Sequence, residues 1–563
     1  MLYPKINKSV NQKLKSFPRL VRQLLFNRGI NSKKEAEGFF EDSKHKFYDP
    51  YKIYQIGKAA KIISDFIKDK KKIFIHGDFD VDGICATSIL WDFLYRHLKA
   101  NATPYVPSRF DEGYGMTDKS ISSIKKQGGE VIITVDCGIK DDKLIEKWKN
   151  RGIEFIVTDH HELKKEKGKI ILPEKAEAVV HPDHPKGRYP FKDLSGAAVV
   201  WKLVSVLQEM MQADIDISNY LDLVSLSAVC DVMPLVDENR SLLKAGLEKI
   251  RTTKRVGLKR LISDAGLEIC DIDTYHIGFI IGPRLNAAGR LDHAVDAIRL
   301  LVTNSPSSAG KISEKLNSLN FKRQKLQEDI YEQAVLQIEE RGIEHRLYFV
   351  WGEDWPEGVI GIVAGKLCEK YHRPVLIATR CKTKFKGSAR SIDRFDVIDA
   401  INRQADLLDR FGGHPQAAGF TVKAENIEQF RDNLLEIADR DLSNEDIEGE
   451  ETADCIITLS DIDWDLASQI EKFAPFGYGN ARPKFILKSV RVASFSLVGS
   501  DQKHVKFDVL EPDTGEYFSC IGFGLADKIK LFRKKESLDL LFTIEVNEWN
   551  GSKKIQLNIK DIH

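Results

Sequence analysis

From about Ile53 to Val180, short apolar runs alternate with segments of helical spacing. Lys72–His76, Glu130–Asp136, Ile153–Asp159 and Ala176–His181 are compact, apolar, and closed by a polar residue. Runs of this kind predict parallel strands buried on both faces, with crossover helices such as Ser88–Leu98 between them. From Phe191 to about Val302 the pattern turns helical, with a near-continuous apolar stretch at Leu223–Val229 that ends in Cys230 and Asp231. Lys311–Arg341 sets Ile312, Leu316, Leu319, Leu326, Ile330, Ala334 and Ile338 among many charges, which predicts a connecting helix of several turns. Strand-like runs resume at Leu347–Trp351 and Val375–Thr379, predicting a second, smaller α/β domain that closes near Phe420. Alternating runs at Lys484–Leu487, Lys506–Leu510, Leu540–Val546 and Lys554–Ile559 then predict a small all-β barrel or sandwich. Residues 1 to about 50 are polar and weakly helical.

Composition changes this picture at a few points. A chain of 563 residues exceeds one hydrophobic core, as the run of patterns already implies. No stretch approaches the ~20 apolar residues of a membrane helix, and the lysine-studded N-terminus lacks the apolar core of a signal peptide, so a cytoplasmic protein is expected. Eight scattered cysteines without a CxxC pair argue against a zinc ribbon and a disulfide framework. With 85 basic and 84 acidic residues, any basic surface has to be local. Nine acidic residues between Glu436 and Asp454 face one Arg440, which reads as a solvated linker or an exposed helix end.

The chemistry sits just past the ends of the predicted strands, the edge where parallel sheets bind ligands. The first strand runs into His76, Asp78, Asp80 and Asp82, the second ends at Asp136, the third at Asp159-His160-His161, and the apolar stretch at 223–229 runs into Asp231. A single DxD after a strand is commonly a helix cap or a turn. So many anions at one edge repel one another unless cations neutralise them, and carboxylates with imidazoles and no thiolate favour Mn²⁺ or Mg²⁺, with Zn²⁺ less suited. The ligands exceed what one ion needs, so two divalent cations are expected, the arrangement used for in-line attack on phosphorus. Phosphodiester hydrolysis is the implied reaction class.

These segments, with Gly282–Leu291, Glu357–Gly365, Gly387–Ser391, Gly412–Gly419 and Phe473–Asn480, resemble the DHH phosphoesterase superfamily, and within it the bacterial exonucleases of single-stranded DNA. The resemblance covers most of the chain. It implies an α/β multidomain fold: a parallel-sheet DHH domain (51–305), a long connecting helix (306–341), a smaller α/β DHH-associated substrate-binding domain (342–440), an acidic linker (441–455) and a C-terminal all-β OB-like domain (456–563), after an N-terminal extension (1–50). It makes His76, Asp80, Asp82, Asp136, His160 and Asp231 the ligands of two metal ions, with Asp136 the bridge. Asp78 and His161 become near-site residues, His161 orienting the phosphate or assisting the leaving oxygen; a role in hydrogen-bonding the ligands is the alternative.

In the DHH-associated domain, Ser388 and Arg390 are the first choice for gripping a terminal 5′ phosphate, since Arg meets phosphate oxygens bidentately. Arg109, Arg284, Asn286 and His414 are further substrate candidates, with surface salt bridges or turns as the alternative. The OB-like domain implies single-stranded DNA as partner, with Phe507, Tyr517, Trp549 and the basic run 528–535 as compatible contacts or, equally, core and solvated turn. The resemblance implies a monomeric 5′ to 3′ exonuclease releasing 5′ mononucleotides in repair and recombination. A helicase and a single-strand-binding protein are compatible partners, and no membrane is. The alternatives are a phosphodiesterase for cyclic dinucleotides or short oligonucleotides, which needs no extra β domain, and a DNA-binding scaffold with a degenerate site, against which the full ligand set speaks.

Overall fold

The structure is a computed structural model that describes residues 5, 7–41, 47–108, 112, 113, 115–449, 452–499, 501–511, 515–534, 537–549 and 552–563, with the backbone alone at 533, 534 and 549. The chain divides into two compact units, one of residues 46–233 and 237–449, the other of residues 1–45, 234–236 and 450–563. Among the described residues no helix is long and apolar enough to cross a membrane.

The first unit is built on a five-stranded parallel sheet. Its strands are β1 (Ile73–His76), β2 (Ala102–Tyr105), β3 (Val131–Val135), β4 (Glu154–Thr158) and β5 (Ala178–Val180), in the order β2-β1-β3-β4-β5. Every residue of β1, β3 and β5 is buried, the reason these runs carry no polar alternation. The register pairs His76 with Thr134 and Val135 with Thr158, so the chain leaves β1, β3 and β4 at one common edge. The helices Val81–Trp91, Gly196–Met211 and Leu221–Cys230 are buried on nearly all sides. The apolar stretch at 223–229 is therefore a core helix, whose period is masked because no face of it meets water.

Helix Pro306–Arg341, 36 residues long and about 54 Å at 1.5 Å per residue, leads to the second sheet. Ser305 caps its start through the Ser308 amide, and Gly342, at φ 104°, ends it. The second sheet holds β6 (Tyr348–Glu353), β7 (Val375–Cys381), β8 (Lys384–Arg390), β9 (Leu408–His414) and β10 (Ala417–Lys423), in the order β9-β10-β8-β7-β6. Only the β6–β7 pair is parallel. The acidic stretch that follows is half helix: Glu436, Asp439 and Asp441 belong to helix Ile427–Asp441, and Glu445 and Asp446 to the short helix Asn444–Ile447.

The second unit is a barrel of β11 (Phe485–Val498), β12 (His504–Leu510), β13 (Tyr517–Gly522), β14 (Leu538–Trp549) and β15 (Ser552–Ile562). Pairings run β11-β12-β13-β15-β14 and close from β14 back to β11, with β13 and β15 parallel. This is the connectivity of the oligonucleotide-binding fold, and closure leaves no long free edge. Phe507 is a core residue here, Tyr517 is exposed, and the side chain of Trp549 lies outside the described residues.

The N-terminal residues do not stand apart as the extension the sequence suggests. Helices Lys8–Lys13, Arg19–Asn27 and Lys33–Phe40 share one apolar core with the barrel, in which Leu14, Val21, Leu24 and Leu25 lie with Phe473, Phe485 and Phe542. Arg28 donates to Asn480 Oδ1 at 2.8 Å and lies 3.5 Å from Asp454, which takes that carboxylate out of the solvated run. Each buried Leu or Val is worth about 1.5–3 kcal/mol. Deleting residues 450–563 alone is therefore expected to leave an aggregating chain, whereas deleting residues 1–45 with them restores a soluble one. Size-exclusion chromatography of the two truncations checks this.

Candidate active site

The turn after β1 is fixed by close packing before any chemistry is considered. A Cβ at Gly77 would stand 2.0 Å from Thr87 Oγ1, and one at Gly83 would stand 2.6 Å from the Asp78 backbone, so helix Val81–Trp91 docks directly on the loop. Asp80 caps this helix by accepting from the Gly83 amide at 3.1 Å. The cap reading and the ligand reading of Asp80 thus coexist, because the cap uses one oxygen of the carboxylate.

Asp82, in the first turn of that helix, is held on three sides. Its Oδ2 accepts from the Gly196 amide at 2.6 Å, and its Oδ1 from the Ala197 amide and Ser227 Oγ, each at 2.7 Å. The two amides open helix Gly196–Met211, whose N-terminus favours the negative charge. With Oδ1 so engaged, Oδ2 is the atom that Asp82 presents to the site, 3.4 Å from His160 Nε2. Asp136 sits directly past β3 at φ 61°, a left-handed conformation that costs a non-glycine residue energy and that is enriched at functional sites. A Cβ at Gly196 would meet the Asp136 Cβ at 2.7 Å, so glycine is required there.

These side chains form three overlapping groups whose ligand atoms lie within 4.8 Å of one another: Asp78, Asp80 and Asp136; Asp82, His160 and Asp231; and Asp136, His160 and His161. Asp136 belongs to two of them. His160 Nε2 stands 3.0 Å from Asp136 Oδ1 and 3.5 Å from Asp231 Oδ2. His76 lies outside the groups. As the last residue of a buried strand it turns inward, Nε2 toward Ser120 Oγ at 3.3 Å and Nδ1 toward Cys137 Sγ at 3.7 Å, and burial lowers its pKa to about 4.

Sequence reasoning gives Asp159 no role of its own, although it opens the DHH triplet. It accepts from the amides of Ile139 (2.9 Å), His160 (2.7 Å) and His161 (3.1 Å), and its Oδ1 lies 2.7 Å from His161 Nδ1. Burial opposes its charge, but His161, His160 and the Ile139 amide prevail and hold the carboxyl well below its usual range. For His161, burial acts against the proton, and Asp159 foremost, then Asp231 and Asp82, push the imidazole up to about 9. Asp159 thus favours the protonated form of the His161 ring. Ser227 is a second residue that the sequence reading misses, and its signal is its place four residues before Asp231 on helix Leu221–Cys230.

Electrostatics test the fit of cations here. Burial, then Asp82 and Asp80, drive Asp231 up to about 9, and the same causes push Asp136 well above the carboxylate range. Asp231 Oδ2 is buried and has no hydrogen-bond partner among the described residues. Carboxylates that hold protons only because they crowd one another release them to a divalent cation, and an oxygen- and imidazole-rich set without thiolate suits Mn²⁺ or Mg²⁺.

The same edge opens on a cavity of about 590 Å³ lined by Asp78 and Asp80 and, from the second sheet, by Ser388 and Arg390. Arg390 Nη1 donates to Ser388 Oγ at 3.1 Å, so the two act as one unit. Arg284, Asn286 and His414 are not among the lining residues. Arg284 Nε donates to Asn317 Oδ1 and its Nη1 to the Ile280 carbonyl, each at 2.7 Å. Asn286 lies half-buried on the same helix, and His414 lies 3.0 Å from Glu162 Oε2. Arg109 lies outside the described residues.

The parallel sheet, the acidic and imidazole groups at its edge and the facing second sheet define a phosphoesterase of the DHH class. Family descriptions agree: the DHH family N-terminal domain matches residues 72–228, the DHHA1 domain 344–439 and the RecJ OB domain 453–561. The chain belongs to the RecJ family of single-stranded-DNA-specific exonucleases. It is 35% identical to the RecJ exonuclease of Bacillus subtilis over 98% of its length and 69% of that protein. The crystal structure of RecJ from Thermus thermophilus in complex with Mn²⁺ matches with a TM-score of 0.82 at 26% identity, over 99% of this chain and 77% of that one. The Mg²⁺ complex of RecJ from that organism matches at 0.76 and 25%, over 99% and 76%. The enzyme is accordingly a metal-dependent hydrolase whose cofactors are Mn²⁺ or Mg²⁺.

Proposed function

We propose that this chain degrades single-stranded DNA from the 5′ end, releasing 5′ mononucleotides by two-cation phosphodiester hydrolysis, in DNA repair and recombination. The observation that carries the reading is the single cavity in which the acidic edge of one sheet faces Ser388 and Arg390 of the other. A terminal phosphate held at one wall puts the first phosphodiester against the other, which converts end recognition into polarity.

Asp80, Asp82, Asp136, His160 and Asp231 would hold the two cations, Asp136 as the carboxylate shared by two of the candidate groups, with Asp78 beside Asp80. When bound, the cations neutralise the clustered carboxylates and supply the Lewis acidity for attack on phosphorus. The His161 imidazolium, fixed by Asp159, orients a phosphate oxygen. Ser388 and Arg390 grip the 5′ phosphate, with Arg109, Arg284, Asn286 and His414 as further substrate-binding residues. The barrel carries single-stranded DNA on exposed aromatics, among them Tyr517 and Phe523. The enzyme acts as a cytoplasmic monomer alongside a helicase and a single-strand-binding protein.

Arg390→Ala is expected to weaken the use of 5′-phosphorylated strands by about 2–4 kcal/mol, the loss of a charge-assisted phosphate contact. Cation binding should be untouched. Parallel assays on 5′-phosphate and 5′-hydroxyl oligonucleotides check it, and an unchanged ratio places the phosphate pocket elsewhere.

A further inference from the structure

We infer that Glu357 makes the terminal pocket selective for a 5′ end bearing one phosphate group and turns away ends with more charge; this rests on the Ser388 and Arg390 assignment above. On β8, Lys386, Ser388 and Arg390 alternate onto one face, and all three line the cavity. The first turn of helix Glu357–Tyr371 closes against that face. Gly361 makes the approach feasible, since a Cβ there would stand 2.9 Å from Ser388 Oγ and 3.4 Å from Arg390 Nη2.

Glu357 takes hold of Lys386 with both oxygens, Oε1 at 2.8 Å and Oε2 at 3.1 Å from Nζ, and it faces the same cavity. Lys386 is the obvious second cation for a polyphosphate end, and here its charge is cancelled inside the pocket. The ionisable lining side chains are Arg290, Lys386 and Arg390 against Asp78, Asp80 and Glu357. Asp78 and Asp80 belong to the cation groups, and Arg290 donates to the Gly358 carbonyl at 2.9 Å. Arg390, which shares the strand face with Ser388 and donates to its Oγ, is the guanidinium assigned to the terminal group.

Magnitude supports a selective effect. Lys386 and Ser388 are two strand residues apart, about 7 Å, so a second or third phosphate group comes within range of Glu357. One unit charge at about 7 Å and an effective dielectric constant near 20 changes an equilibrium more than tenfold. A carboxylate that only complemented the helix N-terminus would not distinguish one 5′ end from another.

The test uses the full chain and one oligonucleotide sequence carrying a 5′-hydroxyl, a 5′-monophosphate or a 5′-triphosphate, with kcat/KM measured for each. The wild type, in which Lys386 and Glu357 cancel, is expected to draw no advantage from the two extra phosphate groups and to handle the triphosphate no better than the monophosphate. Glu357→Gln should raise the triphosphate-to-monophosphate ratio about tenfold, and Lys386→Gln should lower it, since the first leaves Lys386 uncancelled and the second leaves Glu357 unpaired. Opposite shifts in one ratio are not produced by partial misfolding. A ratio within twofold of the wild type in Glu357→Gln overturns the inference. If the wild type and Arg390→Ala treat monophosphate and hydroxyl ends alike, the underlying phosphate-pocket reading fails, a result distinct from a pocket that recognises phosphate but ignores Glu357.

Discussion

Asp136→Ala is expected to lower turnover at least about a thousandfold, about 4 kcal/mol of barrier, while the fold survives. Asp136 is shared by two of the three candidate ligand groups, so its loss weakens both cation positions at once. The apo protein should still fold and melt close to the wild type, because the carboxyl removed is one that burial and its neighbours Asp82, Asp80, Asp78 and Asp231 all disfavour as an anion. The difference should surface with cations: the rise in Tm that Mn²⁺ gives the wild type should largely vanish. Asp136→Asn keeps a residue that accepts the left-handed backbone at φ 61° and should behave alike, which separates charge from strain. Retention of a tenth of the wild-type turnover in Mn²⁺ contradicts the shared-ligand assignment.

Asp159→Asn is expected to cost about a hundredfold in kcat, the scale of losing a positioned proton-bearing group, and to move the alkaline limb of the pH profile. In the wild type the His161 imidazole is raised to about 9 against an ordinary value of 6.5. Its folded form therefore binds the proton more tightly, and the associated stability is complete below about pH 6.5 and lost as pH rises toward 9. Bound cations lower that value, so the alkaline limb of kcat lies at or below pH 9. Without the Asp159 carboxylate, burial acts on His161 with less opposition, and the limb should shift to lower pH. A kcat–pH profile of the variant with an unmoved alkaline limb shows that Asp159 does not set the charge of His161.

The parts of the molecule that are legible in the sequence are those that a single local rule governs. β1, β3, β4 and β5 follow from apolar runs closed by polar residues, and helix Pro306–Arg341 from the apolar spacing within Lys311–Arg341. β2 is not legible because Ala-Thr-Pro-Tyr is short, half-exposed and carries a proline, which an edge strand tolerates and a central one does not. β13 is hidden because Tyr517–Gly522 lacks clean alternation. The N-terminal helices present an apolar stripe of Leu20, Val21, Leu24 and Leu25, but the surface covering it lies more than 400 residues away in sequence, beyond any local pattern.

At the site, the convergence of Asp78, Asp80, Asp82, Asp136 and His160 can be read from strand ends, because topology fixes which edge the chain leaves by, whereas Asp231 arrives from the end of helix Leu221–Cys230. The rotation of each side chain cannot. His76 shares that edge yet turns to Ser120 and Cys137, while Asp159, which reads as one more acid, is spent on three amides and the His161 ring.

The measurement that bears most directly on the central claim is digestion of end-labelled DNA by the purified chain with Mn²⁺, Mg²⁺ or chelator, on one sequence offered as single strand and as blunt duplex. The account predicts that a 5′ label is released at once as a mononucleotide from the single strand, that a 3′ label is released last, and that chelator abolishes both. The duplex should be left intact. Early release of the 3′ label, comparable digestion of the duplex, or activity that persists in chelator contradicts it.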